Sequence, residues 1–183
     1  MPVQNRNNVI LGIGNKALSD DAAGLRVVRH ILKNHPNLFG VHVIDGSNLS
    51  YELTSVLENA LNFIVIDAAK LDQPPGTVST FTGAEMDVIL KRPQRNANET
   101  ALAEIVKIAW LAKQLPVNRA LIAIEPKKTN WGNRLSACVN KAVPQVAEYA
   151  LMLMSQWTGL SFNNPKPPPK HHPAPTGDNI SET

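Results

Sequence analysis

Apolar residues follow two different rhythms along this chain. Near-continuous runs at 9–13 (VILGI) and 63–67 (FIVID) predict strands, as do β-rich stretches at 41–45 (VHVID), 77–81 (TVSTF) and 119–124 (RALIAI). The runs at 9–13 and 63–66 do not alternate with polar residues, which is the pattern of central strands covered on both faces. Between the strands the spacing becomes helical. At 22–34 it places Leu25, Val28, Ile31 and Leu32 on one face, and it recurs at 50–60, 99–114 and 136–156. Pro144 interrupts the last segment and marks either a kink or its true start. Strands alternating with helices predict an α/β fold, a three-layer sandwich around a mostly parallel sheet of about five strands.

From residue 161 the pattern stops. SFNNPKPPPKHHPAPTGDNISET is rich in proline and nearly devoid of apolar side chains. Such a segment buries too little surface to offset the entropy of ordering it. The folded domain is therefore expected over 1–160, with a disordered tail over 161–183. With 183 residues, 43% of them hydrophobic, one domain with a substantial core is affordable.

Composition excludes several classes of function. No apolar run approaches the roughly 20 residues that span a bilayer, and MPVQNRNN lacks the apolar centre of a signal peptide, so a cytoplasmic protein is expected. The single cysteine, Cys138, leaves no internal disulfide and no multi-cysteine zinc site, and is expected to be buried and inert. The net charge of +3 is spread out and only 5% of residues are aromatic, so no nucleic-acid-binding stripe is formed. A monomer without nucleic-acid or membrane partners is expected.

Sites in parallel sheets form beyond the carboxyl ends of the strands. Past the first strand the chain reads VILGIGNKALSDDAAG, which opens like a nucleotide-binding loop. A dinucleotide site needs Gly-x-Gly-x-x-Gly, so that backbone N–H groups face a pyrophosphate. Here the third glycine is missing, and Asp20 and Asp21 stand before the helix instead. Both carboxylates also suit helix capping; for Asp20 that role and a place in the site stand as equal alternatives, whereas for Asp21 it competes with a pairing with Asp67. Asp67 ends the third strand, where a carboxylate is costly unless backbone donors or a cation meet it. Asp21 and Asp67 on one rim would repel a phosphate and attract a divalent metal through oxygen ligands. A cation site is the better reading.

Four segments, VILGIGNKALSDDAAG, VIDGSNLSYEL, FIVIDAAKLDQPPGTV and AIEPKKTNWGNRLSACVNKAVPQVAEYAL, occur in this order and together resemble the nickel–iron (NiFe) hydrogenase maturation endopeptidases. The likeness spans about residues 9–155. It implies a cytoplasmic α/β protease that removes a C-terminal extension from the hydrogenase large-subunit precursor once nickel has been inserted. The resemblance also implies catalysis without a serine or cysteine nucleophile. Metal-binding and catalytic roles fall on Asp21 and Asp67, with nickel supplied by the precursor, where it would polarise the scissile carbonyl or activate water. A third family ligand, a histidine at the start of a later helix, is replaced here by Asn98. Its amide oxygen is a harder and weaker donor than imidazole, and the residue also suits an N-cap. Glu99, beside it, is a candidate general base. His30, His35 and His42 lie away from the rim, and His171 and His172 fall in the tail. The family's frequent glutamine is Glu125 in this chain. A second function is compatible with the missing histidine: a non-catalytic relative that binds the precursor as an assembly factor.

Overall fold

The computed structural model describes residues 7–36, 38–47, 52–91 and 97–162. Its strands are β1 (Asn7–Gly12), β2 (His42–Asp45), β3 (Ala60–Ala68), β4 (Val78–Thr82) and β5 (Asn118–Ile124). The helices are α1 (Ala23–Asn34), α2 (Glu52–Glu58), α3 (Ala84–Leu90), α4 (Ala97–Leu111) and α5 (Ala137–Thr158), with a 3-10 turn at Ser19–Ala22 just before α1. The strand order is β2-β1-β3-β5-β4. β1 pairs in parallel with β2 and β3, and β3 with β5; β4 runs antiparallel to β5 at the edge.

Strand pleating divides the core into two halves, because successive side chains leave opposite faces of the sheet. Ile10, Ile64, Ile66, Ile122 and Ile124 point to the face covered by α1 and α5, where they meet Val27, Val28, Ile31, Val146 and Met154. Val9, Leu11, Phe63, Val65 and Leu121 point the other way, to Leu57 of α2, Met86 of α3 and Leu102, Val106 and Ala109 of α4. The central runs are apolar at every position because both faces need filling. This is the three-layer sandwich the periodicity predicts.

Several details differ from that expectation. The seven residues of α3 are too few to show a periodicity, and its packing rests on Met86 and on an ion pair. Asp87 receives Arg119 Nε at 2.9 Å and Nη2 at 2.6 Å, which ties α3 to the start of β5. Pro144 neither starts nor ends α5, which runs unbroken through it. A proline inside a helix costs about 3 kcal/mol. Burial of Val139, Ala142, Val143, Val146, Ala147, Ala150, Leu151, Leu153 and Met154 outweighs that cost. Phe162 is buried with the α5 core, so packing reaches two residues beyond the expected boundary at 160. Residues 163–183, with His171 and His172, lie outside the described residues. Cys138 is half-buried rather than buried, with its sulfur 3.3 Å from the Ser136 hydroxyl.

The two edges of the sheet have different chemistry. At the amino edge an amide ladder crosses three strands: Asn118 donates to Asn62 at 2.6 Å, and Asn62 donates to Asn8 at 2.7 Å. These side chains satisfy one another and leave that edge chemically quiet. The acidic residues collect at the carboxyl edge.

Candidate active site at the carboxyl rim

Beyond β1 the chain turns at Gly14 and enters the 3-10 turn that carries Asp20 and Asp21. Gly14 has φ 137°, and a Cβ there would lie 1.8 Å from the Asp21 carbonyl oxygen, so only glycine lets the loop close on that turn. The closure bears on whether the loop can hold an anion. The Asn15 N–H, one of the groups a phosphate would need, donates instead to Asp21 Oδ2 at 2.8 Å. Asn15 Oδ1 in turn accepts the Ala17 N–H at 2.9 Å. The loop has filled its own anion site with a carboxylate.

Asp21 and Asp67 approach the rim from different parts of the chain. Ile13 donates to the Ile66 carbonyl at 3.0 Å, one residue before Asp67. Gly24, three residues after Asp21, is packed so tightly that a Cβ would lie 2.1 Å from that same Ile66 carbonyl and 2.5 Å from the Ile13 carbonyl. The two aspartates thus flank one strand exit. They are 4% and 3% exposed, respectively. Asp67 Oδ1 accepts the neighbouring Ala68 N–H at 2.8 Å.

Burial pushes the Asp21 carboxyl above the ordinary aspartate value, and the Asn15 N–H only partly opposes it. An acid whose folded-state value is raised favours folding while protonated and loses that contribution as pH climbs through the raised value. Wild-type protein is therefore expected to lose stability relative to Asp21→Asn between pH 4, about the ordinary aspartate value, and neutrality. Urea midpoints measured for both proteins across that range check this. A difference that stays flat, or that moves in favour of the wild type as pH rises, contradicts the reading.

The other rim carboxylates have different work. Asp20 is fully buried, but it does not cap its own turn. Its Oδ2 accepts the N–H groups of Lys127 (2.9 Å) and Lys128 (3.0 Å) and the Ser136 hydroxyl (2.9 Å), and Oδ1 accepts the Ser136 N–H at 2.6 Å. Asp20 is a clamp on the loop after β5, a role its position beside Asp21 does not reveal in sequence. Glu125 is likewise committed: Oε2 accepts the N–H groups of Leu71 and Gln73 at 2.6 and 3.3 Å and fixes the loop after β3. Asp45 ends β2 and receives Arg29 at 2.9 Å, with Lys16 at 3.8 Å. Burial alone would raise the Asp45 carboxyl, but Ser47, Arg29 and Lys16 together hold it below the ordinary value.

Asn98 and Glu99 are the second and third residues of α4. Asn98, expected as an N-cap, is inside the first turn instead, because the helix begins at Ala97. α4 leads into β5, which starts at the amino edge, so the helix runs back along the sheet and begins toward the carboxyl edge. Their backbone thus lies on the same side as Asp21 and Asp67; their side chains lie outside the described residues. Of the histidines, His42 opens β2 at the amino edge and is exposed. Among the described residues no three His, Cys, Asp or Glu side chains form a metal-sized cluster.

This architecture is that of the maturation endopeptidases. The hydrogenase maturating endopeptidase HybD of Escherichia coli has the same fold, with a TM-score of 0.78 at 21% identity, covering 83% of this chain and 94% of its own. The NiFe hydrogenase maturation protease HybD of Thermococcus kodakarensis gives 0.67 at 25% identity, covering 81% and 99%. The hydrogenase expression/formation protein HupD of Bradyrhizobium diazoefficiens is 25% identical over 160 residues, which is 86% of this chain and 83% of that protein. Residues 25–153 match the hydrogenase maturation protease family. The chain belongs to that family, and its role is that of an endopeptidase in hydrogenase maturation.

Proposed function

We propose that this endopeptidase removes the C-terminal extension of a nickel-loaded NiFe hydrogenase large-subunit precursor, and that Asp21 and Asp67 face the metal centre the precursor brings. One observation carries the reading: two nearly inaccessible carboxylates flank a single strand exit, in a loop whose anion-binding amide is already occupied. Two carboxylates and the Asn98 amide oxygen make a hard donor set, suited to meeting a divalent ion already held elsewhere rather than to competing for it. The metal, when present, supplies Lewis-acid polarisation. The chain's own part is to place negative oxygens and, through Glu99, a candidate base beside the scissile bond. The family match favours this over a non-catalytic precursor-binding relative. A cytoplasmic location and a monomeric state belong to the same proposal; among the described residues no helix is long and apolar enough to cross a membrane.

The test is to incubate the protein with nickel-loaded and nickel-free precursor and weigh the products. Loss of a C-terminal peptide from the loaded precursor alone is expected, and no loss from any large subunit of its host overturns the proposal. Asn98→His is expected to lower cleavage by roughly tenfold, equivalent to about 1.4 kcal/mol, the outcome of an active protease adapted to the amide. Cleavage seen only in the histidine variant would instead mark the natural chain as non-catalytic.

A further inference from the structure

The loop between β5 and α5, residues 126–136, is held with unusual force for an exposed segment. Asp20 accepts four hydrogen bonds from it, and the Leu18 segment forms a parallel bridge with Gly132. Ser19 donates to the Gly132 carbonyl at 2.7 Å and Gly132 to the Ala17 carbonyl at 2.9 Å. Arg26 of α1 adds a bond to the Asn133 carbonyl at 2.9 Å. The loop is thus fastened to the segment that carries Asp21.

The side chains this loop presents face solvent rather than the core. Trp131 is 83% exposed. Lys127, Lys128 and Arg134 are also exposed and, among the described residues, none of them forms an ion pair. Single exposed apolar residues are ordinary. A tryptophan that shares its loop with three exposed cations, on a loop held by a buried carboxylate and fastened to the segment that carries Asp21, is not. Tryptophan and arginine are the side chains most often found at binding hot spots, and a loop fixed in advance loses little entropy on binding.

We infer that the 126–136 loop is the docking element for the precursor: Trp131 covers an apolar side chain, and Lys127, Lys128 and Arg134 meet carboxylates, in the segment beside the cleaved bond. This rests on the endopeptidase reading above and names the chemistry by which that site selects its substrate. Attraction between exposed charges is screened over about 8 Å at physiological salt, so docking weakens as salt rises.

The experiment uses full-length protein in which Trp110 and Trp157 are replaced by phenylalanine, leaving Trp131 as the sole tryptophan. Addition of nickel-loaded precursor is expected to shift Trp131 emission to the blue. In cleavage assays Trp131→Ala is expected to raise KM about tenfold while kcat stays within about twofold. Lys127→Ser combined with Lys128→Ser is expected to raise KM and to flatten its rise with salt. Unchanged Trp131 emission at precursor concentrations that saturate cleavage overturns the inference and leaves the endopeptidase reading intact. A blue shift without any cleavage by the wild type supports the docking loop and removes the endopeptidase reading instead.

Discussion

Asp67→Asn is expected to cut kcat/KM for the nickel-loaded precursor by roughly 10³-fold, equivalent to about 4 kcal/mol of transition-state stabilisation. The thermal midpoint should hardly move. The asymmetry follows from what the substitution preserves. Asparagine has the same shape, and its Oδ1 can still accept the Ala68 N–H that the aspartate accepts at 2.8 Å. At that bond the substitution changes charge rather than geometry, at a position 3% exposed at the exit of the central strand. Were Asp67 there simply to end β3, the amide would serve as well and cleavage would survive. Full activity in the asparagine variant therefore contradicts the assigned role, whereas inactivity combined with a lowered midpoint points to a structural one. Precursor cleavage and thermal unfolding, measured on the same preparation, separate these outcomes.

The fold was legible where burial writes a rhythm into the chain. β1 and β3 are apolar at consecutive positions because Ile10, Ile64 and Ile66 serve one layer while Val9, Leu11, Phe63 and Val65 serve the other. α1 is legible for the opposite reason, since only one of its faces is covered. α3 is not, because it has two turns and gains its place from Met86 and the Arg119–Asp87 pair, a contact 32 residues long in sequence. The reversed direction of β4 is a matter of topology and leaves no trace in its pattern.

The site was legible by halves. Asp21 and Asp67 stand out as charges beside apolar strands, and desolvation is the physical reason they do. Asp20 has the same local signature as Asp21 but a different task, because its partners lie 107 to 116 residues away. A sequence shows a carboxylate without showing its donors. The clamped loop was missed in the same way: PKKTNWGNRLS reads as a solvated surface segment until Asp20 is seen to hold it.

The clamp makes Asp20 a position at which stability is strongly exposed to a single change. Asp20→Ala is expected to lower the unfolding free energy by about 3–4 kcal/mol, since hydrogen bonds to a charged acceptor contribute about 1.5–3 kcal/mol each and the freed loop recovers part of that in water. For a chain of this size that corresponds to a fall of about 10 °C in Tm. Asp20→Asn should be scarcely milder. Both carboxylate oxygens receive donors, so one side of the amide would turn an NH₂ group against a backbone N–H. The expected consequence reaches beyond stability. With the loop released, KM for the precursor should rise as it does in Trp131→Ala, even at temperatures where the rest of the domain stays folded. Calorimetry and cleavage kinetics on Asp20→Asn check both expectations. A variant with wild-type Tm would show that the Lys127, Lys128 and Ser136 donors find equal partners elsewhere, and the loop's rigidity would then need another source.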